Sequence, residues 1–216
     1  MPMNSRDEIL GTLRSASKPF PDIAQPSKYM PMSPFPDTDQ IALKARFIHE
    51  AELLSCHIHE PQSDDETAQI LLNIIGDDKQ VVCWDMDRIP FHPLAATLYD
   101  QGVTVAASGD PAVRVGVTGA DAALAATGSV VLSTGAGNYR GPSLLPTVHV
   151  VIITQDRILP DMESWMSLQR KDNLETFRNS SNIVVISGAS RTADIAMELI
   201  LGMHGPRTMH IIILAE

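Results

Sequence analysis

Cysteine is the scarcest chemistry-bearing residue in this 216-residue chain: there are two, Cys56 and Cys83, in no C-x-x-C pair. An iron–sulfur cluster needs about four thiolates, so this chain alone cannot hold one. A disulfide between such distant thiols is not expected in a reducing compartment. Positive charge is also in short supply. Lys and Arg number 16 against 26 Asp and Glu, for a net charge of −10, and the basic residues are scattered. That disfavours nucleic acid and an anionic membrane surface as partners, yet leaves room for a local basic pocket for one small anion. No apolar run approaches the roughly 20 residues needed to cross a bilayer. Met1–Leu10 carries Arg6, Asp7 and Glu8 with no apolar segment behind them. No secretory signal is read there, and a cytoplasmic location is the expectation. The chain also lacks a phosphate-loop lysine, a G-x-G-x-x-G spacing and a G-x-S-x-G elbow. With no flavin or nicotinamide fingerprint, it has no visible means of moving two electrons.

What is present is an ordinary globular composition, 44% hydrophobic and 19% charged, enough for one domain with a substantial core. Ser5–Ser15 has Ile9, Leu10 and Leu13 on one side and predicts a short amphipathic helix. A proline-rich stretch, Pro19–Pro36, follows and is expected to run extended as an arm, because proline fixes φ and removes a donor. Residues 1–38 are therefore set apart from a domain at 39–216. From Asp39 onward helical and β-rich runs alternate. Helices are expected at Asp39–Leu54, Asp64–Ile75 (stopped by Gly76), Pro93–Asp100 and Met162–Phe177. Strands are expected at Ser55–His59, Gln80–Trp84, Val103–Ala106, Val113–Thr118, Ser129–Ser133 and Val148–Thr154. A turn of helix is expected at "ADAALAA" between the strands at Val113–Thr118 and Ser129–Ser133. The closing stretch "NIVVISGASRTADIAMELILGMHGPRTMHIIILAE" reads as strand, small polar turn, helix to Gly202, and strand: a βαβ unit. The fold class is α/β, a three-layer α/β/α arrangement on a mainly parallel sheet.

In such sheets ligands bind beyond the carboxyl ends of strands. Ser187, Gly188, Ser190, Arg191 and Thr192 fall there if Ile183–Ile186 is a parallel strand. A helix N-terminus with Gly188, a hydroxyl and Arg191 would bind phosphate or carboxylate; a capped turn without ligand is the alternative. Asp194 and Glu198, four apart, would share a face of that helix. A second dense stretch, Val117–Pro142, contains Asp121, the Thr127-Gly128-Ser129 step, and a long loop with Gly135, Gly137, Tyr139 and Arg140. Long glycine-rich loops at strand ends commonly serve binding. His204 and Arg207, in "HGPR", are weaker candidates, because a parallel final strand puts that loop at the opposite sheet edge from Ser187–Thr192. His57 and His59 share one face of a strand and Cys56 the other, too few convergent ligands for a metal, and no metal site is expected.

The stretches "TGADAALAATGSVVLSTGAG" and "SGASRTADIAMELILGMHGPRTMHIII" together resemble the lactate-utilisation (LUD) domain family, in its protein C branch. The resemblance covers much of Thr118–Ile213. It implies a fold akin to ribose-5-phosphate isomerase and the CoA-transferases. It further implies a place in oxidising L-lactate to pyruvate, as a cluster-free component beside iron–sulfur partner proteins. Family members often carry an acid before the Thr-Gly step, where this chain has Ala126. Two functional expectations follow. One is an accessory or regulatory subunit that binds a small organic anion, holds no cofactor alone, and leaves a homo-oligomer open. The other is a freestanding enzyme on a phosphorylated or CoA-linked metabolite, which rests on fold analogy.

Overall fold

The computed structural model describes residues 5–16, 39–107, 109–193 and 199–215. Two compact units are distinguished, Met1–Pro31 and Met32–Glu216. In the first, α1 (Ser5–Ala16) forms where expected, with Ile9 and Leu13 exposed. The expected arm at Pro19–Pro36 lies outside the described residues.

In the larger unit α2 (Gln40–Leu53) starts where the Asp39 carboxylate accepts the Ala42 N–H at 3.2 Å. It buries Leu43, Phe47 and Ala51, one residue per turn. Then come β1 (His57–His59) and α3 (Asp64–Ile75). The Ser63 hydroxyl caps α3 by accepting from Glu66 N–H at 3.2 Å, while Glu66 reaches back to Gln62 N–H at 2.8 Å. Gly76, at φ +63°, ends the helix where the sequence places its stop. The chain continues through β2 (Gln80–Cys83), α4 (Leu94–Asp100), β3 (Thr104–Val105) and β4 (Val115–Thr118). Next are β5 (Ala122–Leu124), β6 (Ser129–Thr134), α5 (Gly141–Leu144), β7 (Val148–Thr154) and β8 (Ile158–Leu159). The last part holds α6 (Met162–Lys171), α7 (Glu175–Asn179), β9 (Asn182–Ile186), β10 (Arg191–Ala193), β11 (Leu199–Leu201) and β12 (Thr208–Leu214).

Six strands form an all-parallel sheet in the order β1-β12-β7-β4-β2-β3, with helices flanking it as the sequence predicts. β4, β7 and β12 are apolar along most of their length because both faces are covered. A second sheet, β8-β5-β6-β9, carries the antiparallel pairs β5–β6 and β6–β9.

Three local expectations are corrected here. "ADAALAA" holds a strand, β5: Ala122, Ala123 and Leu124 are all buried, and ladders to β6 and β8 supply the backbone partners that a single helical turn would leave unmet. Met162–Phe177 is broken where Asn173 and Leu174 take φ of 52° and 59°. Most consequentially, the closing segment is not a βαβ unit. β9 pairs antiparallel to β6 in the second sheet, and Thr192 and Ile200, both β-branched, face each other in a β10–β11 hairpin instead of opening and continuing a helix. Asp194 and Glu198 lie outside the described residues.

Both cysteines are free and buried. Burial pushes each thiol up to about 11, with Arg191 partly opposing this at Cys56 and Asp85 reinforcing it at Cys83. In the folded protein each is expected to react with iodoacetamide at pH 8 roughly a hundredfold more slowly than an ordinary thiol. Mass-spectrometric labelling with and without urea checks this; equal rates in both states would refute it.

Candidate functional site

Some of the residues singled out from sequence line two clefts of the domain. The first, about 340 Å³, lies beyond the end of β9 and is lined by Ser187, Gly188, Ser190, Arg191, His204 and Arg140, among others. Ser187–Arg191 and the His204 loop therefore do share one pocket, against the expectation that they sit at opposite ends of one sheet. The reason is topological: β9 belongs to the second sheet, so its end is free to meet the loop leading into β12. Direct bonds tie the two loops. Ser190 N–H donates to Pro206 O at 2.8 Å, Gly202 N–H donates to Ser190 O at 2.9 Å, and His204 N–H donates to Ser190 Oγ at 3.3 Å.

Behind the cleft runs a chain of hydroxyls, Ser187 Oγ to Ser129 Oγ at 2.8 Å and on to Thr127 Oγ1 at 2.9 Å. Thr127 and Ser129 thus support Ser187. Gly128 is structural: it has φ +61°, and a Cβ there would stand 2.3 Å from Ala51 N. Gly188, at φ +81°, similarly lets the turn press on Leu54 O. With β10 in place of a helix, the Ser187–Thr192 turn does not open a helix among the described residues. Side chains bring positive charge to the cleft. Arg191 is braced by Leu54 O and by Ser55 Oγ at 2.8 Å, and Arg140 and His204 stand at the same cleft. No carboxylate is among its described lining residues. Thr192 lies in β10 outside the lining, and so does Arg207, whose backbone N–H donates to Thr147 O at 2.7 Å.

The second cleft, about 400 Å³, contains Asp121 and Gly135 from the sequence reading, together with Arg88, Ser133 and Asn138. It lies among the segment after β2, the start of β5, the end of β6 with its following loop, and α7, from which Glu175, Thr176 and Asn179 form the facing wall. Its loops are clamped at close range. Asp85 N–H donates to Gly137 O at 2.9 Å, Trp84 Nε1 donates to Tyr139 O at 2.9 Å, and a Cβ on Gly119 would lie 2.8 Å from Arg88 O. Gly137, at φ +83°, packs on the Asp85 carboxylate and is scaffold, not lining. Asp121 accepts the Ser133 N–H; burial raises its carboxyl above the usual range, and the hydrogen bonds from Ser133 and the charge of Arg157 partly offset this. Arg88 and Asn138 were not singled out from sequence. Their only signal is position, one following β2 and one within the loop after β6.

Elsewhere, His57, His59 and His210 stack at the β1–β12 junction, with His59 Nε2 3.0 Å from His210 Nδ1. Among the described residues no three His, Cys, Asp or Glu side chains are arranged to hold a metal ion. Ser143 and His149 do not pair: Ser143 Oγ donates to Arg140 O at 3.1 Å and His149 Nε2 lies 2.9 Å from Thr118 Oγ1. Among the described residues no helix is long and apolar enough to cross a membrane.

The LUD domain family model matches residues 111–214, a span that holds most of both clefts. Lactate utilization protein C of Halalkalibacterium halodurans is 32% identical over 160 residues, covering 69% of this chain and 70% of that protein. Lactate utilization protein C of Oceanobacillus iheyensis is 28% identical over 141 residues, 62% of this chain and 59% of that protein. A crystal structure of a DUF162 family protein from Deinococcus radiodurans superposes with a TM-score of 0.61 at 18% identity, covering 82% of this chain and 99% of that one. That likeness concerns the fold.

Proposed function

The chain belongs to the LUD domain family, and from that premise we propose that it serves lactate utilisation as a cluster-free subunit that binds a small anion in the basic cleft. One observation carries the binding part: Arg140, Arg191 and His204 converge with the Ser187 and Ser190 hydroxyls, and no carboxylate shares the described lining. Guanidinium forks and hydroxyls suit a carboxylate or phosphate. Arg191 is held in place by Leu54 and Ser55, so it is preorganised for a ligand. With two buried cysteines and no redox-cofactor fingerprint, the electrons of lactate must pass to other proteins, and iron–sulfur partners fit that need.

The test is a titration with L-lactate, pyruvate, inorganic phosphate and a CoA ester, read by melting temperature and calorimetry. At least one is expected to bind, and Arg140→Gln is expected to weaken it about tenfold, the value of one charge-assisted contact. Absence of any stabilisation, or unchanged affinity in Arg140→Gln, overturns the assignment. Preference for phosphate or the CoA ester over both organic acids would instead favour a freestanding enzyme on a phosphorylated or CoA-linked metabolite.

A further inference from the structure

We propose that the free edge of β9, together with the basic cleft at its end, docks the carboxyl-terminal tail of a partner protein. The tail adds to the sheet as a further strand and places its terminal carboxylate among Arg140, Arg191 and His204. The proposal rests on the basic cleft being an anion site and names what carries the anion.

β9 is the outermost strand of the sheet β8-β5-β6-β9, and among the described residues no strand lies beyond it. The ladder shows which of its backbone groups are left over. Val131 O accepts Asp121 N–H at 2.8 Å and Ser133 N–H meets the Asp121 carboxylate, so these two residues of β6 turn their backbone toward the β5 side. Backbone groups alternate sides along a strand. Val130, Leu132 and Thr134 therefore face β9 and bond Ile186, Val184 and Asn182 opposite them. Ile183 and Val185 are left with N–H and C=O directed at the free edge. Edge strands are ordinarily guarded by charge, proline or a bulge. Asn182–Ile186 has no charged residue and no proline, its register with β6 runs without a bulge, and Val185 is 44% exposed.

The same edge borders the basic cleft. Val184, Val185 and Ile186 all line it, and consecutive strand side chains point to opposite faces, so the cleft meets β9 along its edge. Leu144 and Pro206 line it too and offer apolar contact to the side chains of an added strand. Charge fixes the occupant and its direction. Arg191 and His204 stand with the Ser187 and Ser190 hydroxyls just past Ile186, where β9 ends, and Arg140 lines the same space. A strand running parallel to β9 brings its carboxyl end there, and a terminal carboxylate matches a guanidinium fork. A second copy pairing edge to edge about a two-fold axis would run antiparallel. It would bring its uncharged Asn182 end to the arginines and leave them unmatched.

Hexapeptides of random sequence, tethered by their N-termini and displayed once with free carboxyl ends and once amidated, test this. Selection on the parent protein is expected to return peptides that bind about tenfold or more tightly as the free acid than as the amide. An N-methyl scan of such a peptide is expected to lose binding at alternate positions, as strand pairing requires. Val185→Pro deletes an edge-facing N–H and leaves the bonds to β6 in place. It is expected to weaken the peptide about tenfold while inorganic phosphate binds as it does to the parent. If melting curves show that this variant is unfolded, the N-methyl scan carries the test. No selected peptide, equal binding of acid and amide, uniform tolerance of N-methylation, or parent-like peptide affinity in folded Val185→Pro overturns the proposal. So does a dimer of the parent that Val185→Pro disrupts, which would give the edge to a second copy. Phosphate binding without peptide binding sinks the docking site alone, and peptide binding without any small anion sinks the small-anion reading alone.

Discussion

Gly116→Ala is expected to destabilise the domain by about 3 kcal/mol or more and to lower its melting temperature by roughly 10 °C. Gly116 lies in β4 between Val82 of β2 and His149 of β7, in the middle of the parallel sheet. A Cβ there would stand 1.9 Å from Pro142 O, 2.8 Å from Pro142 C and 2.9 Å from Pro146 Cγ. The first two are backbone atoms of α5, which cannot rotate away as a side-chain end can. Either α5 lifts from the sheet or β4 loses register. Both outcomes reach the two clefts, because Arg140 immediately precedes α5 and Asp121 follows β4. Gly109→Ala, with open space around the added methyl, is the matched control and is expected to fall within about 0.5 kcal/mol of the parent. Thermal and urea unfolding of the two variants settles the matter. A Gly116→Ala melting temperature within a few degrees of the parent would show that α5 can move freely.

The second large effect is acid lability from buried neutral histidines. Burial pushes His149 down to about 3, its ring enclosed by the sheet and paired with Thr118. His210 is pushed down to about 4, mainly by burial and further by the neighbouring charges of His57, His59 and Arg114. As pH falls from about 6.5, the unfolded chain takes up protons that the folded rings refuse, so stability drops through this window and levels off only near the folded values. His149 alone accounts for a loss of about 2 kcal/mol between pH 7 and pH 5. His210 adds to this in the same direction, by less than its shift implies, since it is partly exposed and solvent screens it. His149→Gln removes the titrating ring, so its stability-versus-pH curve is expected to be flatter than the parent's over pH 7 to 5. Parallel curves for the two proteins would mean that His149 is protonated in the folded state.

The sequence by itself determined the elements whose signals are local. The helical runs from Asp39 and Asp64, the Gly76 stop, and the apolar runs at Val148–Thr154 and Met209–Leu214 each specify a helix or a buried strand through contacts a few residues away. They were enough for the three-layer, mainly parallel architecture, and the two quoted stretches were enough for the family. Asp121 and the Ser187–Arg191 turn were legible as polar or glycine-rich chemistry at strand ends. Pairing was not legible, because which strand borders which depends on residues far apart in sequence. Ile183–Ile186 looks the same whether it joins the parallel sheet or runs antiparallel to β6. That choice, together with the β10–β11 hairpin, turned an expected helix-terminus cradle into a cleft whose charge comes from Arg140, Arg191 and His204. Arg88 and Asn138 carried no local pattern at all. They meet Asp121 because bonds such as Asp85 N–H to Gly137 O bring the segment after β2 against the loop after β6, contacts between distant residues that only the folded chain makes.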